Sequence, residues 1–99
     1  MKLLLITAVE EFETDIINIL KHSGVKTFSY QSVKGYKNNG SDIDRWFSTE
    51  HLSIDSLLFT VFAEDEFVDE IYKKIEILNS EQENFSHVHM ASVPLEKSL

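Results

Sequence analysis

Two histidines near the carboxyl end of the chain are spaced to bind a metal ion. His87 and His89 stand two residues apart, and in a β-strand such residues project from the same face, about 6–7 Å from each other. Imidazole is a ligand for zinc, copper and nickel, but a site needs three or four ligands. The pair therefore predicts either a metal site completed by other segments or subunits, or two structural, half-buried histidines.

A polar stretch from residue 37 to about residue 53 contains further possible cation ligands. They are Asp42, Asp44, Glu50 and His51. Carboxylates and imidazole suit a hard or borderline cation, yet the spacing matches no EF-hand, because the required glycine and closing bidentate glutamate are missing. The alternative interpretation is an acidic loop that is simply solvated.

The same stretch contains two aromatic residues beside a basic one, Arg45-Trp46-Phe47. Aromatic side chains in a polar segment usually pack against another surface. We expect them either to anchor the segment to a subunit interface or to form a stacking platform for a ligand or partner.

Composition limits the classes of protein that need to be considered. The chain has 99 residues, which predicts one domain spanning residues 1–99. The net charge of −8 argues against nucleic acid or an anionic membrane as the main partner. No apolar run approaches a membrane span. The absence of cysteine excludes thiol catalysis and fits a cytoplasmic protein.

The hydrophobic pattern predicts four strands and two helices. The strands span residues 3–9, 25–36, 56–63 and 85–93, and the helices span residues 10–23 and 65–79. Apolar residues spaced along one side predict a buried stripe on each helix: Phe12, Ile16, Ile19 and Leu20 on the first, and Phe67, Val68, Ile71, Ile75 and Leu78 on the second. The first and third strands are almost wholly apolar, as in strands buried on both faces, whereas the second and fourth mix polar and apolar residues, as edge strands do. The order βαββαβ predicts an α+β, ferredoxin-like fold, with two helices on one face of a four-stranded antiparallel sheet ordered 4-1-3-2.

This fold leaves one face of the sheet to be covered. Two helices cover a single face, but the central strands are apolar on both. We therefore expect a homo-oligomer packed sheet to sheet. In the alternative, a monomer, the loop at about residues 37–53 folds back over that face.

Two motifs in the second strand resemble the PII signal-transduction superfamily. They are Gly24-Val25-Lys26 and Val33-Lys34-Gly35-Tyr36, which in PII chains precede the long T-loop. The resemblance implies a homotrimer with inward-facing sheets and a ligand cleft between subunits. Gly35, Tyr36 and Lys37 would then lie at that cleft. The alternative is that these residues form a simple strand bend.

The sequence also departs from PII proteins. The loop is shorter, and the glycine-rich segment that holds ATP phosphates is replaced by residues 79–84, which contain no glycine. Glu81 and Glu83 would repel a phosphate. This argues against nucleotide binding in the usual PII mode and leaves a divalent metal or a differently bound nucleotide as the ligand.

Three functions are compatible with these observations. The first is a PII-like trimeric sensor that binds a small ligand and regulates a partner, such as a membrane transporter. The second is a metal-binding or metal-tolerance trimer that uses His87, His89 and the loop acids. The third is a small ferredoxin-like enzyme, for which the sequence provides no nucleophile or paired acid and base, so we expect no catalytic activity.

Overall fold

The computed structural model describes residues 1–36, 53–82 and 87–99. The strands are β1 (Lys2–Val9), β2 (Phe28–Tyr36), β3 (Ser53–Ala63) and β4 (His89–Pro94), and the helices are α1 (Glu13–Lys21) and α2 (Asp65–Ser80). A 3-10 turn at Glu10–Phe12 precedes α1. The chain thus has the predicted βαββαβ order. Within the described ranges, neither helix has the length and apolar character needed to cross a membrane.

The four strands form one antiparallel sheet in the order β2-β3-β1-β4. This is the predicted order 4-1-3-2 read from the opposite edge. The two strands that are almost wholly apolar, β1 and β3, occupy the centre, and the mixed strands form the edges. The predicted fold class is confirmed.

Several element boundaries differ from the prediction. β2 begins at Phe28 rather than at residue 25, and β4 begins at His89, with Phe85 outside the described residues. β3 begins three residues early, at Ser53, because it continues to pair with β2 after β1 has ended. Strand pairing supplies the backbone hydrogen bonds there, so the polar residues Ser53 and Asp55 can extend the strand without being buried.

The core lies between the helices and one face of the sheet. The sheet contributes Leu4, Ile6, Ala8, Leu57, Phe59, Val61 and Ala63, and the helical side contributes Phe12, Ile16, Leu20, Val68, Ile71 and Ile75. Val88, just before β4, is also buried. The apolar stripe predicted on each helix is therefore the side that faces the sheet. Phe67 and Leu78, also predicted in the stripe of α2, are only partly buried.

Tyr30 connects the edge strand β2 to the helical layer. Its ring stacks on Phe59 at a centroid distance of 4.8 Å. Its hydroxyl donates a hydrogen bond of 2.8 Å to Oε1 of Glu13, in the first turn of α1. That hydrogen bond to a carboxylate is the main cause of the raised pKa of Tyr30. The contact holds β2 in place where the pattern of apolar residues is weakest.

The opposite side of the sheet, which we call the open face, is also largely apolar. Pairing register assigns to it Leu3, Leu5, Thr7 and Val9 of β1, Ser29, Gln31, Val33 and Gly35 of β2, Ile54, Ser56, Leu58, Thr60 and Phe62 of β3, and His89, Ala91 and Val93 of β4. Phe62 is 53% exposed and Val93 44% exposed, so no other part of the described chain covers them. A contiguous apolar surface of this kind marks an interaction site.

Candidate functional site at the end of the sheet

A cleft of about 360 Å³ lies where β2 ends and β3 begins. We call it the sheet-end cleft. Thr7, Gly35, Tyr36, Ile54, Ser56 and His87 are among the residues that line it. Its walls therefore come from the ends of β1 and β2, the start of β3, and His87, which precedes β4.

The different lengths of the strands create this cleft. β1 ends at Val9, which is paired with Ser56. β2 and β3 continue as a two-stranded ribbon up to the pair formed by Tyr36 and Ser53. Residues 37–52 connect these two paired residues, and Tyr36, which precedes that segment, lines the cleft.

Gly35 allows the ribbon to pack closely at the cleft. A Cβ at this position would lie 2.7 Å from Oγ of Ser56 and 3.4 Å from the carbonyl oxygen of Ile54. The Ser56 hydroxyl donates a hydrogen bond of 3.0 Å to that same carbonyl. A side chain at position 35 would therefore displace the hydroxyl and narrow the cleft.

The cationic group at the cleft already has a partner. Nζ of Lys34 lies 2.9 Å from Oδ1 of Asp55, its register partner on β3. The hydrogen bond and charge of Asp55 raise the pKa of Lys34. Since Asp55 offsets the ammonium charge, Lys34 is a weaker anion-binding group than an unpaired lysine would be.

His87 and His89 both project outward at this end of the sheet. Their ring centroids are 6.3 Å apart with the planes inclined at 74°, and both residues are exposed. His89 pairs with Thr7 on the open face. A tetrahedral ion bound at about 2.1 Å by both rings would hold the centroids about 5 Å apart. Rotation of the two histidine side chains alone can bring their ring centroids to that distance.

A side chain from α2 fixes the direction in which both histidines point. Nδ2 of Asn79 donates to the carbonyl oxygen of Val88 at 2.9 Å, and the Val88 N–H donates to Oδ1 of Asn79 at 2.7 Å. Val88 itself is buried, with 2% of its surface exposed. With Val88 held in the core, the residues on either side of it must point to the open face.

The sequence-predicted site residues are distributed in two groups. Gly35, Tyr36 and His87 all line the sheet-end cleft, and His89 lies beside it on the open face. The others fall outside the described residues: Lys37, Asp42, Asp44, Arg45, Trp46, Phe47, Glu50 and His51. Within residues 1–36, 53–82 and 87–99, no three acidic or histidine side chains are grouped so as to hold a metal ion.

Two residues that shape the site were missed by sequence reasoning. Asn79 holds β4 from nine residues away, a distance at which no local pattern identifies the partner. Asp55 pairs with Lys34 across the ribbon, which becomes apparent only once β3 is extended to Ser53. For Asn79, the one available signal in the sequence was its position in the last turn of a helix that is followed by a strand.

Replacing Asn79 should lower the stability of the protein. Asn79→Ala leaves the N–H and carbonyl of Val88 without their partners, and we expect the free energy of unfolding to fall by about 2 kcal/mol. Urea denaturation measures this. Asn18→Ala, on the exposed side of α1, is the matched control and should change stability by less than about 0.5 kcal/mol. Equal stabilities of the two variants would contradict the role given to Asn79.

The contact at Gly35 should appear as non-additivity in a double-mutant cycle. Gly35→Ala alone forces Ser56 away from the Ile54 carbonyl, and we expect it to cost about 1 kcal/mol. In the Ser56→Ala background the obstacle is gone, and Gly35→Ala should be neutral or slightly stabilising because alanine restricts the unfolded chain. Thermal unfolding of the four proteins tests this. Additive changes would show that Ser56 is not the group that Gly35 accommodates.

Comparison with known proteins identifies the fold. No family model matches the chain, and no curated protein matches its sequence. Among solved structures, a DUF3240 family protein from Shewanella baltica is similar with a TM-score of 0.71 at 12% identity, over 98% of this chain and 91% of that one. A putative PII-like signaling protein from Thermus thermophilus is similar with a TM-score of 0.63 at 15% identity, over 93% of this chain and 83% of that one.

A third similar structure is that of a nitrogen regulatory PII-like protein from Thiomonas intermedia, bound to ADP, AMP and bicarbonate. It gives a TM-score of 0.62 at 14% identity, over 97% of this chain and 94% of that one. All three matches span nearly the whole domain. Sequence identities this low establish the architecture alone, and the chain therefore has the PII-like form of the ferredoxin-like fold.

Proposed function

We propose that this chain is a PII-like signal-transduction protein of the cytoplasm. It forms a homotrimer through its open faces, binds a small ligand in the sheet-end cleft between subunits, and uses residues 37–52 to regulate a protein partner, a membrane transporter. The role is regulatory rather than catalytic. The observation that carries this proposal is the position of the cleft, which adjoins the open face and is lined by Tyr36, the residue that precedes residues 37–52.

The chemistry of the open face supports self-association. The face is apolar and carries few charges, so another copy of the same face can cover it without desolvating ions. A copy packed there would also form a second wall for the cleft, which is open on that side. Ligand occupancy could then change both the subunit contact and the start of residues 37–52.

The ligand is proposed to be a divalent metal or a nucleotide held differently from ATP in other PII proteins. ADP, AMP and bicarbonate, which are bound in the Thiomonas structure, are the first compounds to test. The pairing of Lys34 with Asp55 offsets one positive charge that would otherwise attract a triphosphate to the cleft. We therefore expect smaller or less highly charged ligands to bind better than ATP.

Native mass spectrometry tests assembly and ligand binding together. We expect a trimer that gains mass with one member of a panel containing ATP, ADP, AMP, bicarbonate and divalent metals. Phe62→Glu should yield monomers, because a carboxylate on the open face would be desolvated in the contact. Tyr72→Glu is the matched control, since Tyr72 is 50% exposed on the helical side, and it should remain trimeric. A monomeric unmodified protein would overturn the proposal.

Limited tryptic digestion tests the response of residues 37–52. The ligand found in the panel should change the rate of cleavage after Lys37 and Arg45, while cleavage after Lys21 in α1 should be unaffected. An unchanged pattern across the whole panel would contradict signalling through this segment.

The histidine pair supports a second candidate function, a metal-binding or metal-tolerance trimer. His87 and His89 are exposed, 6.3 Å apart and directed to the open face, where a second copy or the acids of residues 37–52 could supply the remaining ligands. Calorimetric titration with copper, zinc and nickel should show at least a roughly tenfold loss of affinity in His87→Ala/His89→Ala. His22→Ala, an exposed histidine on the opposite side, is the control. Identical titrations of all three proteins would remove this function.

A further inference from the structure

The two helices leave a groove between them on the side away from the sheet. It has a volume of about 310 Å³ and is formed by Asp15 and Ile19 of α1 together with Lys74, Ile77, Leu78 and Glu81 at the end of α2. We call it the helix groove. It is separate from the sheet-end cleft and from the open face, and nothing in the proposed function uses it.

The floor of the groove is apolar and extends beyond the core. Ile19 and Leu78 pack against the core and are only partly buried. The buried stripe of α2 ends in Ile71 and Ile75, whereas Ile77 points away from it and is 57% exposed. Lys74, Ile77, Leu78 and Glu81 are spaced by three, one and three residues, so they form a second stripe along one side of the helix. A helix that presents a second, partly apolar stripe is shaped to pack against another helix.

The helical layer carries most of the negative charge of the chain. The 3-10 turn, α1 and α2 together contain nine acidic residues and three lysines, in a protein whose net charge is −8. The lysine in the groove, Lys74, already lies 3.2 Å from Oε1 of Glu70. The apolar floor is therefore surrounded by a negative field.

The end of α2 strengthens that field. A helix carboxyl terminus bears a partial negative charge and is stabilised by nearby cations. The last turn of α2 contains no basic residue, and its C-cap is Glu81. A carboxylate at this position is unfavourable for the isolated protein and becomes favourable when a cation is placed beside it.

We infer that the helix groove is a docking site for a basic amphipathic helix of a partner protein. An apolar side chain of that helix packs on Ile19, Ile77 and Leu78, and flanking lysines or arginines lie near Asp15 and Glu81. Charge complementarity selects this occupant, because a second copy of the chain would present its own acidic helical layer and be repelled. The copies meet at the sheet and the partner binds on the outside.

Fluorescence anisotropy with a labelled peptide tests the inference on the intact protein. The probe is a helical peptide of about 18 residues made of leucine and lysine in an amphipathic pattern, and its control has the same composition in a permuted order without an apolar stripe. We expect the patterned peptide to bind more tightly, and Ile77→Ser to weaken it about tenfold. Tyr72→Ser removes an equally exposed side chain outside the groove and should change affinity less than about twofold.

A second pair of variants separates specific docking from general attraction between opposite charges. Asp15→Asn/Glu81→Gln should weaken binding about fivefold, whereas Glu66→Gln/Asp69→Asn removes the same charge elsewhere on the layer and should have little effect. Glu81→Gln relieves an unfavourable helix end, so the groove variant should remain folded. Equal losses in groove and control variants, equal binding of the two peptides, or no binding at all would each overturn the inference.

Discussion

The architecture depends on one constraint: the two central strands are apolar on both faces, whereas the helices of residues 1–36, 53–82 and 87–99 cover only one. On the helical side, Leu4, Ile6, Phe59 and Val61 are completely buried. On the other side, Phe62 remains half exposed. For a domain of this size, burial of that second face is a substantial share of the attainable stability. Folding and assembly are therefore expected to be linked.

The same constraint separates the surface into regions of different chemistry. The open face is apolar and nearly uncharged, the helical layer is acidic, and the sheet-end cleft lies at the border of the open face. Electrostatic repulsion would disfavour contact between two helical layers. The charge distribution therefore favours the sheet-to-sheet contact of the proposed homotrimer over a contact between helical layers.

Sequence reasoning was successful where burial repeats with a regular period. The wholly apolar character of β1 and β3 was sufficient to place them in the centre of the sheet, and the stripes on the helices were correctly assigned to the core side. It was less accurate at strand ends, because the start of β3 at Ser53 depends on pairing with β2 rather than on hydrophobicity.

The contacts that organise the site could not be read from the sequence in the same way. The double hydrogen bond between Asn79 and Val88 joins residues on different elements, and the close approach of Gly35 to Ser56 depends on the register of two strands. Both contacts involve only a few atoms and produce no periodic pattern in the sequence. His87 could be proposed as a site residue from its residue type, and Gly35 from the resemblance to PII proteins. The sequence did not indicate that the two residues line one cleft.

The pairing of Tyr36 with Ser53 has a consequence for how this protein can diversify. Because the ribbon already holds the two ends together, a change in the length of the intervening segment costs little closure entropy, about 0.6 kcal/mol for each doubling. Insertions, deletions or a transplanted recognition sequence between these residues would leave the strand register intact. The scaffold can therefore keep its sheet, and with it the proposed assembly and ligand cleft, while the segment between the two strands changes.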